Sequence, residues 1–399
     1  MPNNDIQHIA LGFLLPMMLY SCSHQQEAVT YLGKNTRTIP VNVAKYKNPD
    51  FNDLFKIEKI IRLATNDSIL IGRVDKISWS GNKFYILDGK SNYIDVFDSS
   101  GRFLFNISSI GEGKEQYFRI ADFDIDSAAG QIYVLDDFKK KIIAFSNING
   151  RPLEERPLFN FTVNRFSVNR CNNSRQIIYS RGGTAGSRDM WYNILIADST
   201  NTIRYRLLPY ISTGSFIMSP EQPLQKSGDR VSYLPPFSST IFGLNEDHTL
   251  SPKYVLQFQG ANSDYAKMET YLRKNSPKTI TEFLQYLNDN NYIKFLNYFE
   301  TDSLLYVYYN TARQGNQFFL YEKNKDSALL ISAIHNNYIN FSGQPLAATH
   351  DNQFVCLIEP DSFLNKDLLK AYLSPEDRDL SNFNSGSNPM LAVLKVKPF

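Results

Sequence analysis

Cysteine is scarce in this chain, which has only Cys22, Cys171 and Cys356 among its 399 residues. No two of these have the Cys-X-X-Cys spacing that structural zinc sites use, so the sequence predicts no such site. An oxidising compartment would permit a disulfide between Cys171 and Cys356, but the sequence alone does not determine whether the two pair.

Histidine is also rare, and the five histidines lie apart from one another at positions 8, 24, 248, 335 and 350. The chain therefore lacks the His-Glu-X-X-His and His-X-His pairs of histidine metalloenzymes. It also lacks the Gly-X-Ser-X-Gly turn of serine hydrolases, and the sequence indicates no catalytic residue. We retain His350, which precedes Asp351 at the start of a predicted strand, as a candidate ligand-binding residue against the alternative of a turn residue.

The chain has no strong net charge. Its formal net charge is +2, which provides no field to attract nucleic acid, so no nucleic-acid partner is expected. The apolar run Ile9–Tyr20 has twelve residues. That is too few to span a membrane as a helix, but it is the length of a signal-peptide core.

The sequence that ends this run, Leu19-Tyr20-Ser21-Cys22, resembles a bacterial lipobox, in which cleavage precedes a cysteine that becomes lipid-modified. The resemblance implies a signal peptide over residues 1–21 and a lipid on Cys22. It also implies a cell-envelope protein anchored to the outer membrane, with the periplasmic or surface side left open. Residues 22–50 are then a polar tether with a first strand. The alternative is a buried N-terminal helix with an incidental cysteine, and the lack of Lys and Arg before Ile9 departs from the usual signal.

What the chain does contain is an internal repeat. The segment Phe84–Arg102 is echoed by Ile132–Arg151, with matched residues 48 positions apart. The matched pairs are Tyr85 and Tyr133, Leu87 and Leu135, Asp88 and Asp136, Ile94 and Ile142, and Phe97 and Phe145. One added residue in the second copy then aligns Gly101 with Gly150. A fixed period of this size is typical of a repeat architecture.

Each unit of about 45–50 residues contains four short strands, which is the pattern of a propeller blade. The spacing of the later strands predicts an all-β, six-bladed β-propeller over residues 51–399, with seven blades as the competing count. An aromatic content of 14% suits such a fold. Ring closure would pair Phe55–Ala64 with Met390–Val396 in the last blade. Two stretches with helical spacing, 263–299 and 361–383, are predicted as short helical insertions.

The blades resemble NHL-type repeats, and the whole chain is similar to the six-bladed β-propeller lipoproteins of Bacteroidetes. The residues that carry the resemblance are Val74–Leu104, Ile110–Asp126, Ser232–Leu244 and Asn388–Lys397. The loop Gly113-Lys114-Glu115-Gln116-Tyr117 departs from the Gly-Pro-Gly-Glu-Tyr form that is usual in these repeats. The resemblance implies the fold but no particular activity, because the family has no common established one.

Several carboxylates are candidate functional residues. Asp122, Asp124 and Asp126 alternate with apolar residues, so a strand would place the three carboxylates on one side. Clustered carboxylate oxygens could hold Ca²⁺, although the spacing, Gly and Glu of an EF-hand are absent. We keep these three as a candidate metal group against the alternative of a structural role, and no other cofactor is expected. Asp88 and Asp136 recur at the same place in each copy, which favours a structural role as acceptors for turn amides.

Aromatic residues supply the remaining candidates. Trp191, Tyr192, Tyr233 and Phe237 could line a glycan- or peptide-binding face, although most aromatic side chains of a propeller pack between blades. The leading hypothesis is a cell-envelope binding module for a glycan, a peptide or a protein partner, without catalysis. Two alternatives stay open: a metal-dependent propeller hydrolase or lyase with an ion in the central channel, and a structural subunit of an outer-membrane complex.

Overall fold

The computed structural model describes most of the chain from Thr36 to Phe399. The described residues are 36–66, 69–158, 163–171, 174–180, 192–209, 220–228, 230–236, 238–275, 279–336, 345–349, 351–360, 362, 365–381 and 383–399. Cys22, Trp191, Phe237 and His350 lie outside these ranges. The predictions made for those four residues therefore stay predictions.

The middle strands of the blades form from consecutive apolar residues rather than from an alternating pattern. In strand β4, Lys83–Asp88, the side chains of Phe84, Tyr85, Ile86 and Leu87 are all buried. Phe84 and Ile86 pack in one apolar cluster, whereas Tyr85 and Leu87 pack in another. A strand becomes apolar on both faces when other elements cover both faces. The two neighbouring blades are those covers.

The described strands form six sheets that are the blades of a six-bladed propeller, as predicted. Blade 1 contains β3 Val74–Ser80, β4, β5 Tyr93–Asp98 and β6 Phe103–Ile107. Blade 2 contains β7 Asp122–Asp126, β8 Gln131–Asp136, β9 Lys141–Ser146 and β10 Pro152–Pro157. Blade 3 contains β11 Arg165–Cys171, β12 Ser174–Ser180, β13 Tyr192–Ala197 and β14 Ile203–Pro209. Blade 4 contains β15 Leu224–Ser227, β16 Arg230–Tyr233, β17 Thr240–Leu244 and β18 Leu250–Gln259. Blade 5 contains β19 Lys294–Glu300, β20 Leu304–Thr311, β21 Gly315–Glu322 and β22 Ser327–Ile331. The first strand of each blade is the innermost.

The ring closes as predicted, with a strand from each end of the chain. Blade 6 contains β23 Ala347–Ala348, β24 Gln353–Ile358, β25 Met390–Val396 and, on its outer side, β2 Phe55–Arg62. Strand β2 is antiparallel to β25, with Phe55 opposite Val396 and Arg62 opposite Met390. The N-terminal strand thus covers the edge that β25 would otherwise expose.

A second N-terminal strand, β1 Arg37–Asn42, is added to blade 4 as a fifth strand. It runs parallel to β18, with Arg37 opposite Tyr254 and Asn42 opposite Gln259. The first and fourth strands of an antiparallel blade run in opposite directions. Strand β1 therefore begins at the end of the propeller where the innermost strands finish.

The predicted insertions are helical but shorter than expected. Helices α2 Tyr265–Asn275 and α3 Ile280–Asp289 fill the first part of 263–299, and the Thr279 side chain accepts the backbone N–H of Glu282 to cap α3. The end of that range is wrong as a helix, because Lys294–Glu300 is the innermost strand of blade 5. Its apolar residues pack between strands on both faces, and tertiary packing overrides the local helical pattern there. In 361–383 the described helix is α4 Lys366–Lys370, and a short α1 Phe51–Leu54 precedes β2.

The core consists of separate apolar clusters between successive blades. Tyrosine and phenylalanine side chains fill the wedge between sheets, as with Tyr133 and Tyr179 between blades 2 and 3. Tyr306 stacks on Phe318 between blades 5 and 6, with ring centroids 5.2 Å apart. Helices α2 and α3 contribute Met268 and Phe283 to the cluster between blades 4 and 5. The innermost strands are left to line a central channel.

Candidate functional site

A cavity of about 640 Å³ opens at the end of the propeller where the innermost strands begin. We call this cavity the bowl. Val74, Ile120 and Leu357 give part of its wall an apolar character. Its charged lining residues are Asp75, Lys76, Asp122, Arg165, Glu221 and Glu359. A concave site with mixed apolar and polar lining is the usual form of a ligand pocket.

A second cavity of about 360 Å³ occupies the channel beyond the bowl. All six blades line it, and one lining residue from each is Ser78, Asp124, Ser167, Lys226, Phe299 and Ala347. The Lys226 Nζ donates to the carbonyls of Ile125 and Val168, at 3.2 and 2.7 Å. The lysine therefore ties the innermost strands of blades 2, 3 and 4 together across the channel.

Asp122 links three blades at the base of the bowl. Lys76 of blade 1 donates to Asp122 Oδ1 at 2.7 Å and to the carbonyl of Phe123 at 2.7 Å. The other carboxylate oxygen, Oδ2, accepts the backbone N–H of Phe166 in blade 3 at 3.0 Å. The Asp122 side chain is 2% exposed. Its charge is thus compensated by a lysine and an amide within the protein.

Asp124 and Asp126 continue the same ladder from blade 2 to blade 3. Asp124 Oδ2 accepts the hydroxyl of Ser167 at 3.0 Å and the N–H of Val168 at 2.7 Å. Asp126 forms a bidentate pair with Arg170, with N–O distances of 3.0 and 2.9 Å. Burial alone would raise the pKa of the Asp126 carboxyl, but the Arg170 contact and further hydrogen bonds outweigh it and lower that pKa.

The three aspartates share one side of β7, as predicted, but the geometry does not favour a metal ion on them. Each carboxylate contacts a different group of blade 3. Among the residues that the structure describes, no three His, Cys, Asp or Glu side chains form a group that could hold a metal ion. In the described contacts the three carboxylates join blade 2 to blade 3, and the candidate metal group stays a prediction.

Two further bowl charges, those of Arg165 and Asp75, are held in place by neighbours. The Arg165 guanidinium donates to the carbonyls of Ala121, Asn164 and Glu221 at 2.7, 2.9 and 2.8 Å. Arg73 forms a bidentate pair with Asp75, with N–O distances of 2.6 and 2.9 Å. Charged groups that are fixed in this way present oriented hydrogen-bonding groups to a ligand rather than a strong net field.

Asp88 and Asp136 have the structural role that their repetition predicted. Asp88 accepts the backbone N–H groups of Gly72, Arg73 and Lys90 at 2.9–3.0 Å. Burial would raise the pKa of the Asp88 carboxyl, but these hydrogen bonds outweigh burial and lower it. Asp136 accepts three amides in the same manner.

The two predicted aromatic residues that are described lie among apolar neighbours. Tyr233 is 1% exposed and packs with Ile178 and Ile194 between blades 3 and 4. In this position its ring is not accessible to a ligand at the surface, and the binding role of Tyr233 stays a prediction. Tyr192 is half-buried at the start of β13 and packs against the cluster between blades 2 and 3.

The cysteines Cys171 and Cys356 do not pair. Both are free and buried, and they belong to blades 3 and 6. The Cys171 thiol donates to the carbonyl of Glu246 at 3.3 Å. Burial raises the pKa of the Cys356 thiol well above its ordinary value, which keeps it protonated and unreactive.

Two exposed phenylalanines beside the bowl were not among the residues selected from the sequence. The rings of Phe118 and Phe138 stack with centroids 4.6 Å apart and an interplanar angle of 28°. Phe118 is 52% exposed and Phe138 is 67% exposed. A signal was present in the repeat, because Phe138 stands 48 positions after Lys90, where the two copies differ.

Comparison with known proteins supports this architecture. A family model described as a domain of unknown function, DUF4934, matches residues 36–395. The chain belongs to the DUF4934 family. No curated protein matches this member of the family. The comparison thus assigns a family but no activity.

Solved structures from Bacteroides share the fold. The crystal structure of a Bacteroides fragilis NCTC 9343 protein described as exported has a TM-score of 0.74 and 20% identity. That match covers 90% of this chain and 100% of the other. A member of the DUF4221 family from Bacteroides vulgatus has a TM-score of 0.54 and 9% identity, covering 87% and 99% of the two chains. In the part of the chain that the structure describes, none of the helices has the length and apolar character needed to cross a membrane.

Proposed function

We propose that this DUF4934 protein is a binding module of the cell envelope, held by a lipid on Cys22, which takes a ligand into the bowl. The bowl is the observation that carries the proposal. It joins an apolar wall to several charged side chains, and Arg165 and Asp75 are fixed by their neighbours. Such preorganised polar groups orient a ligand at little entropic cost.

The envelope location rests on two independent features, and the position of strand β1 adds the orientation of the bowl. The N-terminal segment resembles a lipoprotein signal that ends at Cys22. A structural relative is described as exported. Strand β1 begins at Arg37, at the end of the propeller opposite the bowl. A tether that leads from Cys22 to Arg37 thus joins the propeller on the side away from the bowl, which would leave the bowl open toward a ligand.

Binding in the bowl is tested with substitutions that fill the cavity. The substitution Ala121→Trp places a bulky ring in the bowl, and Ala128→Trp is the matched control at the far end of the channel. The full chain is titrated calorimetrically with neutral oligosaccharides, acidic polysaccharides, and basic and acidic peptides. We expect saturable binding of one class, lost in Ala121→Trp and retained in Ala128→Trp. Ser362→Trp serves as a second bowl-filling variant if Ala121→Trp does not fold.

The proposal fails if no class binds, or if both bowl-filling variants bind as well as the wild type. The anchor is tested in the same preparation by membrane fractionation and metabolic labelling with an alkynyl fatty acid. Wild-type chain should be labelled and sediment with membranes, whereas Cys22→Ser should be unlabelled and released. Labelling that survives in Cys22→Ser would overturn the anchor.

A further inference from the structure

The stacked pair Phe118 and Phe138 is exposed, yet its surroundings hold it in place. Both backbone N–H groups donate to one buried carboxylate, that of Asp136, at 2.6 and 3.0 Å. The adjacent residues, Arg119 after Phe118 and Asp137 before Phe138, form an ion pair in which Nε and Oδ1 are 3.0 Å apart. These contacts join two loops that are 20 residues apart in sequence. Large apolar side chains that are exposed and held in a fixed geometry are more frequent at interaction sites than elsewhere on a protein surface.

The pair continues the wall of the bowl. Ile120 and Ala121 line the bowl, and Phe118 lies two residues before Ile120. Two extended residues span at most about 7 Å, so the Phe118 backbone is at the rim. A ligand that is longer than the bowl and leaves it on the side of blade 2 would therefore pass over the two rings.

The charges around this surface favour an uncharged ligand. Lys76 is paired with Asp122, Arg73 with Asp75, and Arg119 with Asp137. The other charges, those of Arg165, Lys139, Glu221 and Glu359, are of both signs, and the two cations donate to backbone carbonyls. Neither sign therefore dominates, so no strong field selects an anionic or a cationic ligand. A neutral polyhydroxyl ligand can hydrogen-bond to the ion pairs without separating them.

The aromatic rings of Phe118 and Phe138 suit a sugar ligand. The face of an aromatic ring is negative, so it attracts the weakly positive C–H groups on the apolar face of a pyranose. We propose that Phe118 and Phe138 form a stacking subsite for a neutral oligosaccharide whose end lies in the bowl. This inference rests on the proposed binding function and names the ligand class for it.

The test compares oligosaccharides of two lengths. The full chain is titrated with maltose and maltohexaose, with xylobiose and xylohexaose, with polygalacturonate, and with a peptide of alternating Phe and Arg. Phe118→Ala and Phe138→Ala are the variants. Ile148→Ala is the matched control, because Ile148 is 78% exposed in a turn at the opposite end of the propeller. We expect each Phe variant to weaken hexasaccharide binding about three- to tenfold and to leave disaccharide binding unchanged.

The outcomes separate this inference from the proposed function. Disaccharide or hexasaccharide binding that is lost in Ala121→Trp but unchanged in both Phe variants would leave the bowl as the binding site and overturn the stacking subsite. A peptide or polygalacturonate that binds while neutral oligosaccharides do not would overturn the ligand class. Equal losses in Ile148→Ala and the Phe variants would assign the effect to general stability and overturn the subsite.

Discussion

Blades 1 and 2 are two versions of one sequence, and their similarities and differences fall in different parts of the structure. The shared apolar residues, such as Tyr85 and Tyr133, are buried between blades. The shared aspartates bind turn amides, and the shared glycines Gly101 and Gly150 both have positive φ. The residues that the two copies share therefore form and stabilise the propeller.

Some of the positions at which the two copies differ do not contribute to the packing of the propeller. Lys90 and Phe138 follow the shared aspartate and are both exposed, so either residue is compatible with the turn. Asp95 and Ile143 are both buried in the middle of equivalent strands, and there the difference has a cost. Burial raises the pKa of the Asp95 carboxyl to about 6, helped by the negative charge of Asp88. The comparison teaches that exposed differences are free to carry function, whereas buried ones affect stability.

The largest expected effect comes from the shared glycines. A Cβ on Gly101 would lie 2.1 Å from the carbonyl oxygen of Arg62 in the closing strand β2, and one on Gly150 would lie 2.8 Å from that of Asn106. We expect Gly101→Ala to lower the free energy of unfolding by about 3–5 kcal/mol and Gly150→Ala by about 2–4 kcal/mol. Urea unfolding of the full chain measures both.

The control for these variants is Gly81→Ala in blade 1. Gly81 has φ +57°, and no atom lies within 4 Å of the place where the methyl group of an alanine would stand. The variant therefore isolates the conformational cost of a left-handed backbone, about 1 kcal/mol. If all three variants lost the same free energy, the close approach between neighbouring blades would not be the reason for the glycines.

The next effect concerns the buried Asp95. Its folded pKa of about 6 lies above the ordinary value of 3.8, so the folded state keeps the proton to higher pH than the unfolded state. Its contribution to stability is therefore full below about pH 4 and is lost as the pH rises through 6. We expect Asp95→Asn to stabilise the protein by about 1–3 kcal/mol at pH 8 and not at pH 4.

Unfolding by urea at several pH values checks this difference. Asp98→Asn in the same strand is the control with the opposite sign. Burial would raise the pKa of Asp98, but hydrogen bonds from Ser100 and Arg102 lower it to about 2. That variant should lose stability at neutral pH and approach the wild type near pH 2. The free energies of unfolding of the wild type and of Asp95→Asn are compared at each pH. If their difference did not change from pH 4 to pH 8, the folded state would not resist ionisation of Asp95.

The smallest expected effect is an exchange between the two turns. Lys90→Phe and Phe138→Lys each give one copy the residue of the other, at exposed positions. We expect each to change the free energy of unfolding by less than about 1 kcal/mol, because the turn is held by the shared aspartate. The measurement is again urea unfolding. A larger loss for Phe138→Lys would mean that the stacked rings stabilise blade 2 rather than serve a ligand.

Much of the fold was predictable because its signals are local. Runs such as that of β4 indicated short strands, and the spacing of such runs indicated six blades. The closure of β2 on β25 followed from the need to cover a sheet edge. The helical insertion 263–299 was too long, because the apolar spacing near Tyr298 fits a helix as well as a strand, and only packing decides between them.

The candidate site was less predictable because its residues meet only in three dimensions. The sequence by itself determined the repeat, the strand pattern and the recurring aspartates, since each depends on neighbours within one blade. The tertiary structure decided that Asp122, Asp124 and Asp126 contact blade 3, and that Phe118 and Phe138 stack at the rim of the bowl. Those contacts depend on how separate loops and blades are placed around the ring, and a one-dimensional pattern does not contain those distances.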